Sequence, residues 1–179
     1  AGNIAYDEFG RPDKEWITPD TSGTPTVDYT YYWGAAAPGG SGSAPNGTRI
    51  DRPDATGTLW SASWYDGFGR LVQTRQERPS DVTGSSTVDV SYDASGNKAS
   101  DSIPYDLAPS GSGYVTPVSQ PKTAYTYDFL GRVTRVDLPN GATRTSAYTT
   151  ASGADIETQT DERKFKVTYT RDALGRTTS

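Results

Sequence analysis

The stretch that decides the fold reads Tyr125-Thr126-Tyr127-Asp128-Phe129-Leu130-Gly131-Arg132-Val133-Thr134. At its centre is a Tyr-Asp-x-x-Gly-Arg motif. An aspartate that opens a type I turn can bond the main chain two residues on, and a glycine at the fourth position can adopt the left-handed conformation that leads back into a strand. The motif therefore predicts a hairpin turn, in which the tyrosine ends the incoming strand and the arginine begins the outgoing one.

The motif recurs four more times, twice intact and twice in degenerate form. Asn97 replaces the arginine in one degenerate copy, and Arg171 replaces the tyrosine in the other. The repeat residues are Tyr6, Asp7, Gly10, Arg11, Tyr65, Asp66, Gly69, Arg70, Tyr92, Asp93, Gly96, Tyr127, Asp128, Gly131, Arg132, Asp172, Gly175 and Arg176. We interpret the aspartates as turn-forming, because Asp-x-x-Gly supplies one carboxylate and a calcium site needs several oxygens. The arginines are expected to pair with the aspartates of adjacent turns.

Other turn signals lack the tyrosine. They are Asp20–Gly23, Asp54–Gly57, Asp81–Gly84, Asn46-Gly47 and Asn140-Gly141. Between the turns, side chains alternate with a period of two, which indicates strands. In residues 58–65, Trp60 and Trp64 share a face while Tyr65 lies on the other, which predicts a bulge or a strand buried on both faces.

The pattern as a whole predicts an all-β fold, an antiparallel meander of hairpins. After residue 122 the expected strands are 123–127, 132–138, 142–149, 155–160 and 164–171, with a further strand from Arg176. We expect a single β region over residues 1–179. The sequence lacks methionine and starts at Ala1, so we interpret it as a fragment of a longer chain. Two Gly/Pro/Ser-rich stretches, a flexible loop at 34–47 and an excursion at 105–121, are predicted to project from the sheet.

Composition excludes several kinds of chemistry. The 179 residues contain no cysteine, histidine or methionine. Disulfides, thiolate nucleophiles, zinc-thiolate sites and Ser-His-Asp triads are therefore excluded. We predict no enzyme, no catalytic residue, no metal and no cofactor. The net charge of −5 argues against nucleic acid as a partner, and no apolar run is long enough for a membrane span. The 12 tyrosines and 4 tryptophans argue for order over disorder.

The Tyr-Asp-x-x-Gly-Arg copies resemble the YD repeats of the Rhs family, which includes bacterial polymorphic toxins, the B and C components of Tc toxins, and teneurins. The resemblance implies strands wound into a curved or spiralling sheet, part of a larger shell or fibre. It implies a non-catalytic wall segment that encapsulates or delivers a toxin domain in a secreted or cell-surface bacterial protein. The implied partners are the remainder of the parent chain and an enclosed toxin domain. No protease residues are carried over, since the chain has no Asp-Pro pair.

A second function stays open at the level of sequence. The chain could be an adhesive surface or fibre module that binds glycan or a partner protein through its aromatic face or its projecting loops. Exposed indole rings stack on sugar faces, so Trp33, Trp60 and Trp64 are the candidate glycan-stacking residues. Unpaired sheet edges also predict self-association between copies of the chain.

Overall fold

The computed structural model describes residues 1–33, 46–54, 57–78, 84–107 and 111–178. Within these ranges there are fourteen strands and no helix, and every strand pairing is antiparallel. The predicted all-β antiparallel meander is therefore confirmed. The strands are β1 (Gly2–Tyr6), β2 (Pro12–Ile17), β3 (Val27–Tyr32), β4 (Asn46–Asp54), β5 (Gly57–Tyr65), β6 (Leu71–Glu77), β7 (Ser85–Tyr92), β8 (Lys98–Ser102), β9 (Tyr105–Leu107), β10 (Lys122–Tyr127), β11 (Val133–Asp137), β12 (Thr143–Ala151), β13 (Ala154–Thr160) and β14 (Lys166–Arg171).

The chain divides into two compact units. Unit 1 comprises Ala1–Asp89 and Pro104–Ser119, and unit 2 comprises Val90–Ile103 and Gln120–Ser179. In unit 1 the strands pair in the order β1-β2-β3-β4-β5-β6-β7, and β9 also pairs with β7. The order in unit 2 is β8-β10-β11-β12-β13-β14, with the end of β7 paired to β8.

The strands of unit 2 agree with the sequence prediction. Strands β10 to β14 begin and end within two residues of the expected bounds. The strand expected from Arg176 is represented by a single bridge between Arg171 and Thr177. Alternation of side chains is sufficient to locate these strands because each of them pairs with a strand next to it in the sequence.

Burial differs between the two units. The buried hydrophobic side chains are Trp60, Ala62, Trp64 and Tyr105, all in unit 1, and they lie among buried polar ones: Gln73, Arg75, Ser85, Thr87 and Ser112. Among the described residues of unit 2, only Ser100 is buried. A core with a covered layer is therefore present in the described part of unit 1 and not in that of unit 2.

The predicted bulge beside Tyr65 is confirmed. Strand register shifts between Trp64 and Tyr65, and the same shift occurs before Tyr6, Tyr92 and Tyr127. Each tyrosine of the repeat thus ends a strand next to an irregularity in the ladder.

Two predictions about loops were wrong. The pair Asn46-Gly47 lies in β4, opposite Tyr65 and Trp64, and does not form a turn. Here packing against an aromatic ring overrides the local Asn-Gly preference. The excursion at 105–121 does not simply project, since it begins with β9 and then packs on the sheet of unit 1. The rest of the loop at 34–47, residues 34–45, lies outside the described residues.

The other turn signals had mixed outcomes. At Asp20–Gly23 the turn is displaced by one residue, because Thr24 N donates to Thr21 O while Asp20 accepts a bond from Thr26 Oγ1. The turn at Asn140-Gly141 is confirmed. The centres of the remaining two signals, residues 55–56 and 81–83, lie outside the described residues.

Candidate functional site

The repeat motif forms one recurring turn. In the first copy, Gly10 N donates to Asp7 O at 3.0 Å and Asp7 N donates to Arg11 O at 2.9 Å. This is a three-residue hairpin loop, a type I turn whose left-handed glycine forms a G1 bulge. The fourth-position glycines all have positive φ: 75° at Gly10, 77° at Gly69, 89° at Gly96, 77° at Gly131 and 77° at Gly175.

In each turn, the aspartate side chain accepts hydrogen bonds from two main-chain N–H groups of the same turn. Asp7 Oδ1 accepts bonds from Phe9 N and Arg11 N, each 2.9 Å long. The aspartates at 66, 93, 128 and 172 make the same two contacts. Partial burial by itself raises the pKa of Asp7, but the main-chain and side-chain bonds from Arg11 and the bond from Phe9 N outweigh it and leave the pKa below its usual value. The predicted turn-forming role of the aspartates is thus what the geometry displays.

The expected pairing of the arginines with adjacent turns was wrong. Each arginine pairs with the aspartate of its own turn: Arg11 Nε donates to Asp7 Oδ2 at 2.7 Å. The copies at Arg70, Arg132 and Arg176 repeat this contact, and the substitute Asn97 donates its amide to Asp93 Oδ2 at 3.2 Å. The turn folds the fifth residue back over the first, so the nearest carboxylate is always the local one. The prediction that the arginine begins the outgoing strand was also wrong by one residue, because Arg11 lies just before β2, which starts at Pro12.

A tyrosine from the next strand braces several of these turns. The hydroxyl of Tyr31 donates to Pro12 O at 2.8 Å, and the Arg11 guanidinium lies 4.0 Å from the centre of the Tyr31 ring. In unit 2, the hydroxyl of Tyr148 donates to Val133 O and Arg132 lies 4.2 Å from its ring. The tyrosine of one repeat can serve the preceding turn in this way, since the Tyr127 hydroxyl donates to Lys98 O, just after the turn at residues 93–97.

Two further turns have the same geometry: the predicted turn at Asn140-Gly141, and one that escaped the sequence search. They span 138–142 and 161–165, with the same pair of main-chain bonds. The first has Leu138 in place of the aspartate. In the second, Asp161 is present but Lys164 occupies the glycine position with a φ of 70°. Glycine at the fourth position was the search criterion, so a lysine there concealed the turn.

The structure also brings together a polar groove that sequence patterns did not reveal. Residues 111–118, which we call the strap, lie on the face of β4, β5 and β6. Trp64 Nε1 donates to Ser112 O at 3.0 Å, and Arg49 Nη1 donates to Ser112 Oγ at 3.0 Å. Arg75 Nη1 donates to Gly113 O. Trp64, Arg75 and Ser112 are at most 1 % exposed.

Gln73 completes the groove and connects it to β9. Its amide nitrogen donates to Val115 O at 2.8 Å, and its amide oxygen accepts from Val115 N at 3.0 Å. The same nitrogen donates to Asp89, whose other oxygen accepts the Tyr105 hydroxyl. Burial, followed by the bond to Asp89, raises the pKa of Tyr105, and burial lowers the pKa of Arg75. We call the four side chains that hold the strap, Arg49, Trp64, Gln73 and Arg75, the backbone-binding groove.

Two of the three predicted glycan-stacking residues are unsuitable. Trp64 is fully buried between Tyr32, which stacks on it at 5.5 Å, and the strap residue Tyr114. Trp60 is only 9 % exposed and lies 5.6 Å from the Arg49 guanidinium. Both lie on the face of β5 that carries the strap at Trp64. The sequence correctly placed them on one face but did not show which face is covered.

Trp33 is exposed and belongs to a small aromatic cluster. Its side chain is 65 % exposed, and that of Phe9 is 71 % exposed. The Arg11 guanidinium lies 5.1 Å from the Trp33 ring and 5.0 Å from the Phe9 ring. The three side chains line an open depression of about 460 Å³. Of the predicted stacking residues, Trp33 alone has a ring that a ligand can reach.

The described residues contain no cluster of acidic side chains suited to a metal ion. Nor do they form a helix long and apolar enough to cross a membrane. The sequence matches no model of a known protein family, and it matches no curated protein.

Proposed function

We propose that the chain is a structural, non-catalytic segment of a YD-repeat β-shell that encapsulates or delivers a toxin domain. The observation that carries the proposal is the recurring turn, in which an aspartate and an arginine lock one hairpin after another. Such a turn is a device for building a long meander from one repeated unit. The proposed setting is a secreted or cell-surface bacterial protein, and the proposed partners are the rest of the parent chain and its enclosed domain.

The burial pattern of unit 2 supports this proposal. A single layer of sheet with few buried side chains gains little from the hydrophobic effect, and stable domains normally pack a second layer against it. In unit 2, Val167 is 51 % exposed and Phe165 is 67 % exposed. A wall segment that contacts further layers or an enclosed polypeptide would cover such side chains.

Electron cryo-microscopy of the whole protein, purified from its natural source, tests the shell. We expect hollow particles whose wall is made of β-strands, with density for an enclosed polypeptide. Particles without an internal space would overturn the proposal. Mass spectrometry of the same particles identifies the enclosed domain as a part of the chain or as a separate protein.

We propose as a second candidate an adhesive module that binds glycan at the exposed cluster of Phe9, Arg11 and Trp33. The open depression and the exposed indole favour it, since an aromatic face beside a hydrogen-bond donor suits a sugar ring. A glycan array with the unaltered chain is the first measurement. Binding below millimolar concentration should disappear in Trp33→Ala.

Phe68→Ala is the matched control for this candidate. Phe68 is 87 % exposed and lies 5.1 Å from the guanidinium of its own turn, but it does not line the depression. Its loss should leave glycan binding unchanged. Absence of binding by the unaltered chain, or binding that survives Trp33→Ala, contradicts the adhesive function.

A further inference from the structure

Most of the hydrogen bonds that hold the strap go to its main chain. Ser112 O, Gly113 O, Val115 N and Val115 O all bond to side chains of the sheet. One strap side chain also bonds to the groove, since Arg49 Nη1 donates to Ser112 Oγ. Carbonyl and N–H groups are common to every polypeptide, so these contacts recognise a main chain, which bends here at Ser112 and Gly113, and not a particular sequence.

The groove side chains lie on β4, β5 and β6, which pair with one another and not with the strap. Trp64 and Gln73 are register partners on β5 and β6, and Ala62 and Arg75 form the next pair on the same face. Arg49 lies opposite Ala62 on β4 and is held by Asp51 at 2.6 Å. Side chains on paired strands keep their spacing when a neighbouring loop moves.

Opening the groove exposes three polar side chains and the side of Trp64 that Tyr114 covers. Gln73, Arg75 and Arg49 exchange bonds to the strap for bonds to water, and such exchanges change the free energy little. Trp64 loses contact with Tyr114 but keeps its stacked partner Tyr32. The strap is therefore a tethered ligand that can leave without dismantling the sheet.

We propose that the backbone-binding groove is a binding site for a polypeptide segment without regular secondary structure, filled here by the chain's own strap, and that a segment of another polypeptide can replace the strap. The ligand class is an unfolded segment with small residues where Ser112 and Gly113 now lie, because both are buried against the sheet. This site is within unit 1 and does not depend on the proposed shell, so the two proposals fail by different experiments.

The test uses the 179-residue chain and a dye-labelled peptide with the sequence of residues 111–118. The tethered strap competes at an effective concentration on the order of millimolar. Val115→Pro removes the N–H group that donates to Gln73 Oε1, so the strap competes less strongly with the peptide. Fluorescence anisotropy should report binding of the peptide to Val115→Pro about tenfold tighter than to the unaltered chain.

The second substitution is made in the Val115→Pro chain. Gln73→Leu removes both bonds to residue 115 of the peptide and should weaken binding about tenfold. Gln76→Leu is the control, since Gln76 is on the same strand but is exposed on the opposite face. Equal binding by the two double variants, or absence of binding at millimolar peptide, overturns the proposal.

Two altered peptides test the ligand class. A peptide with Tyr114→Leu and Val115→Thr keeps the main chain and should bind with similar affinity, whereas N-methylation at Val115 should weaken binding. If the first change abolishes binding, recognition is of the strap sequence and the proposed ligand class is wrong.

Should Val115→Pro fail to fold, the indole N–H resonance of Trp64 in the unaltered chain is followed during peptide titration. A shift that Gln73→Leu abolishes supports the site, and no shift overturns it.

Discussion

The fourth residue of each turn has the strictest requirement of any position in the repeat. A left-handed conformation disfavours residues with a side chain by roughly 1–2 kcal/mol, and most for β-branched ones. Five repeat glycines satisfy this requirement, and Lys164 violates it with a φ of 70°. Replacing a repeat glycine should therefore lower stability, whereas replacing Lys164 with glycine should raise it.

Gly131→Val should lower the free energy of unfolding by more than about 1 kcal/mol. Gly131 has a φ of 77°, and the nearest atom to an added Cβ is 3.9 Å away, so the loss comes from the backbone conformation and not from a clash. Urea denaturation measures it. Gly67→Val is the control, since Gly67 lies in an open part of its turn without a positive φ. An unchanged midpoint for Gly131→Val would refute the turn.

Lys164→Gly should raise the free energy of unfolding by about 0.5–1 kcal/mol, because relief of the left-handed strain exceeds the entropy that glycine adds to the unfolded chain. Lys166→Gly, in β14, should destabilise instead. Thermal melting of both variants measures whether each substitution raises or lowers the melting temperature. A lower melting temperature for Lys164→Gly contradicts this explanation.

The turn aspartates make stability depend on pH. Partial burial raises the pKa of Asp128, but the bonds from Arg132 and Leu130 N outweigh it and hold the pKa below that of the unfolded chain. Its contribution is therefore complete above about pH 4 and is lost as the pH falls through the folded pKa. The urea midpoint of the unaltered chain should exceed that of Asp128→Asn at neutral pH, and the difference should narrow below about pH 4. A difference that persists at about pH 2 would count against the carboxylate as its source.

At the scale of elements, the close approach of β4 to β5 explains the failure of the Asn-Gly signal. Two-residue Asn-Gly turns are favoured only where both residues can take positive φ. Gly47 instead lies in a strand opposite Trp64, where the absence of a side chain admits the indole ring. Gly47 permits close packing and does not form a turn, and the sequence alone did not distinguish these two roles.

Gly47→Ala should lower the free energy of unfolding by about 1–3 kcal/mol through overpacking. An added Cβ would lie 2.5 Å from Trp64 Cε3. The indole ring must move, which should also change the intrinsic fluorescence. Gly2→Ala, in β1 with no atom within 4 Å of the added carbon, should leave both measurements unchanged. Equal stability of the two variants would contradict the close contact.

At the scale of the whole molecule, the two units differ in how their sheets are covered. Unit 1 has a strap and a buried cluster, whereas among the described residues of unit 2 only Ser100 is buried. Local opening requires less free energy where few side chains are buried. The two units should therefore open with different free energies.

Hydrogen exchange of main-chain amides measures this difference. We expect the amides of β5 and β6 to exchange most slowly and those of β12 and β13 to exchange faster, because Trp64 and Gln73 are covered and no comparable side chain covers the later strands among the described residues. Exchange of β12 and β13 as slow as that of β5 and β6 would be inconsistent with the prediction.

By itself, the sequence determined the elements that depend on neighbours along the chain. Strand alternation and the Asp-x-x-Gly signal act over a few residues, so the meander, the repeat turns and the bulge at Tyr65 were all predictable. Only the tertiary structure decided which face is covered, because that choice depends on where residues 111–118 return to the sheet. This return buries Trp64 and leaves Trp33 exposed. It also creates the backbone-binding groove, because Gln73 and Arg75 bond to the strap, and their residue types alone do not predict these bonds.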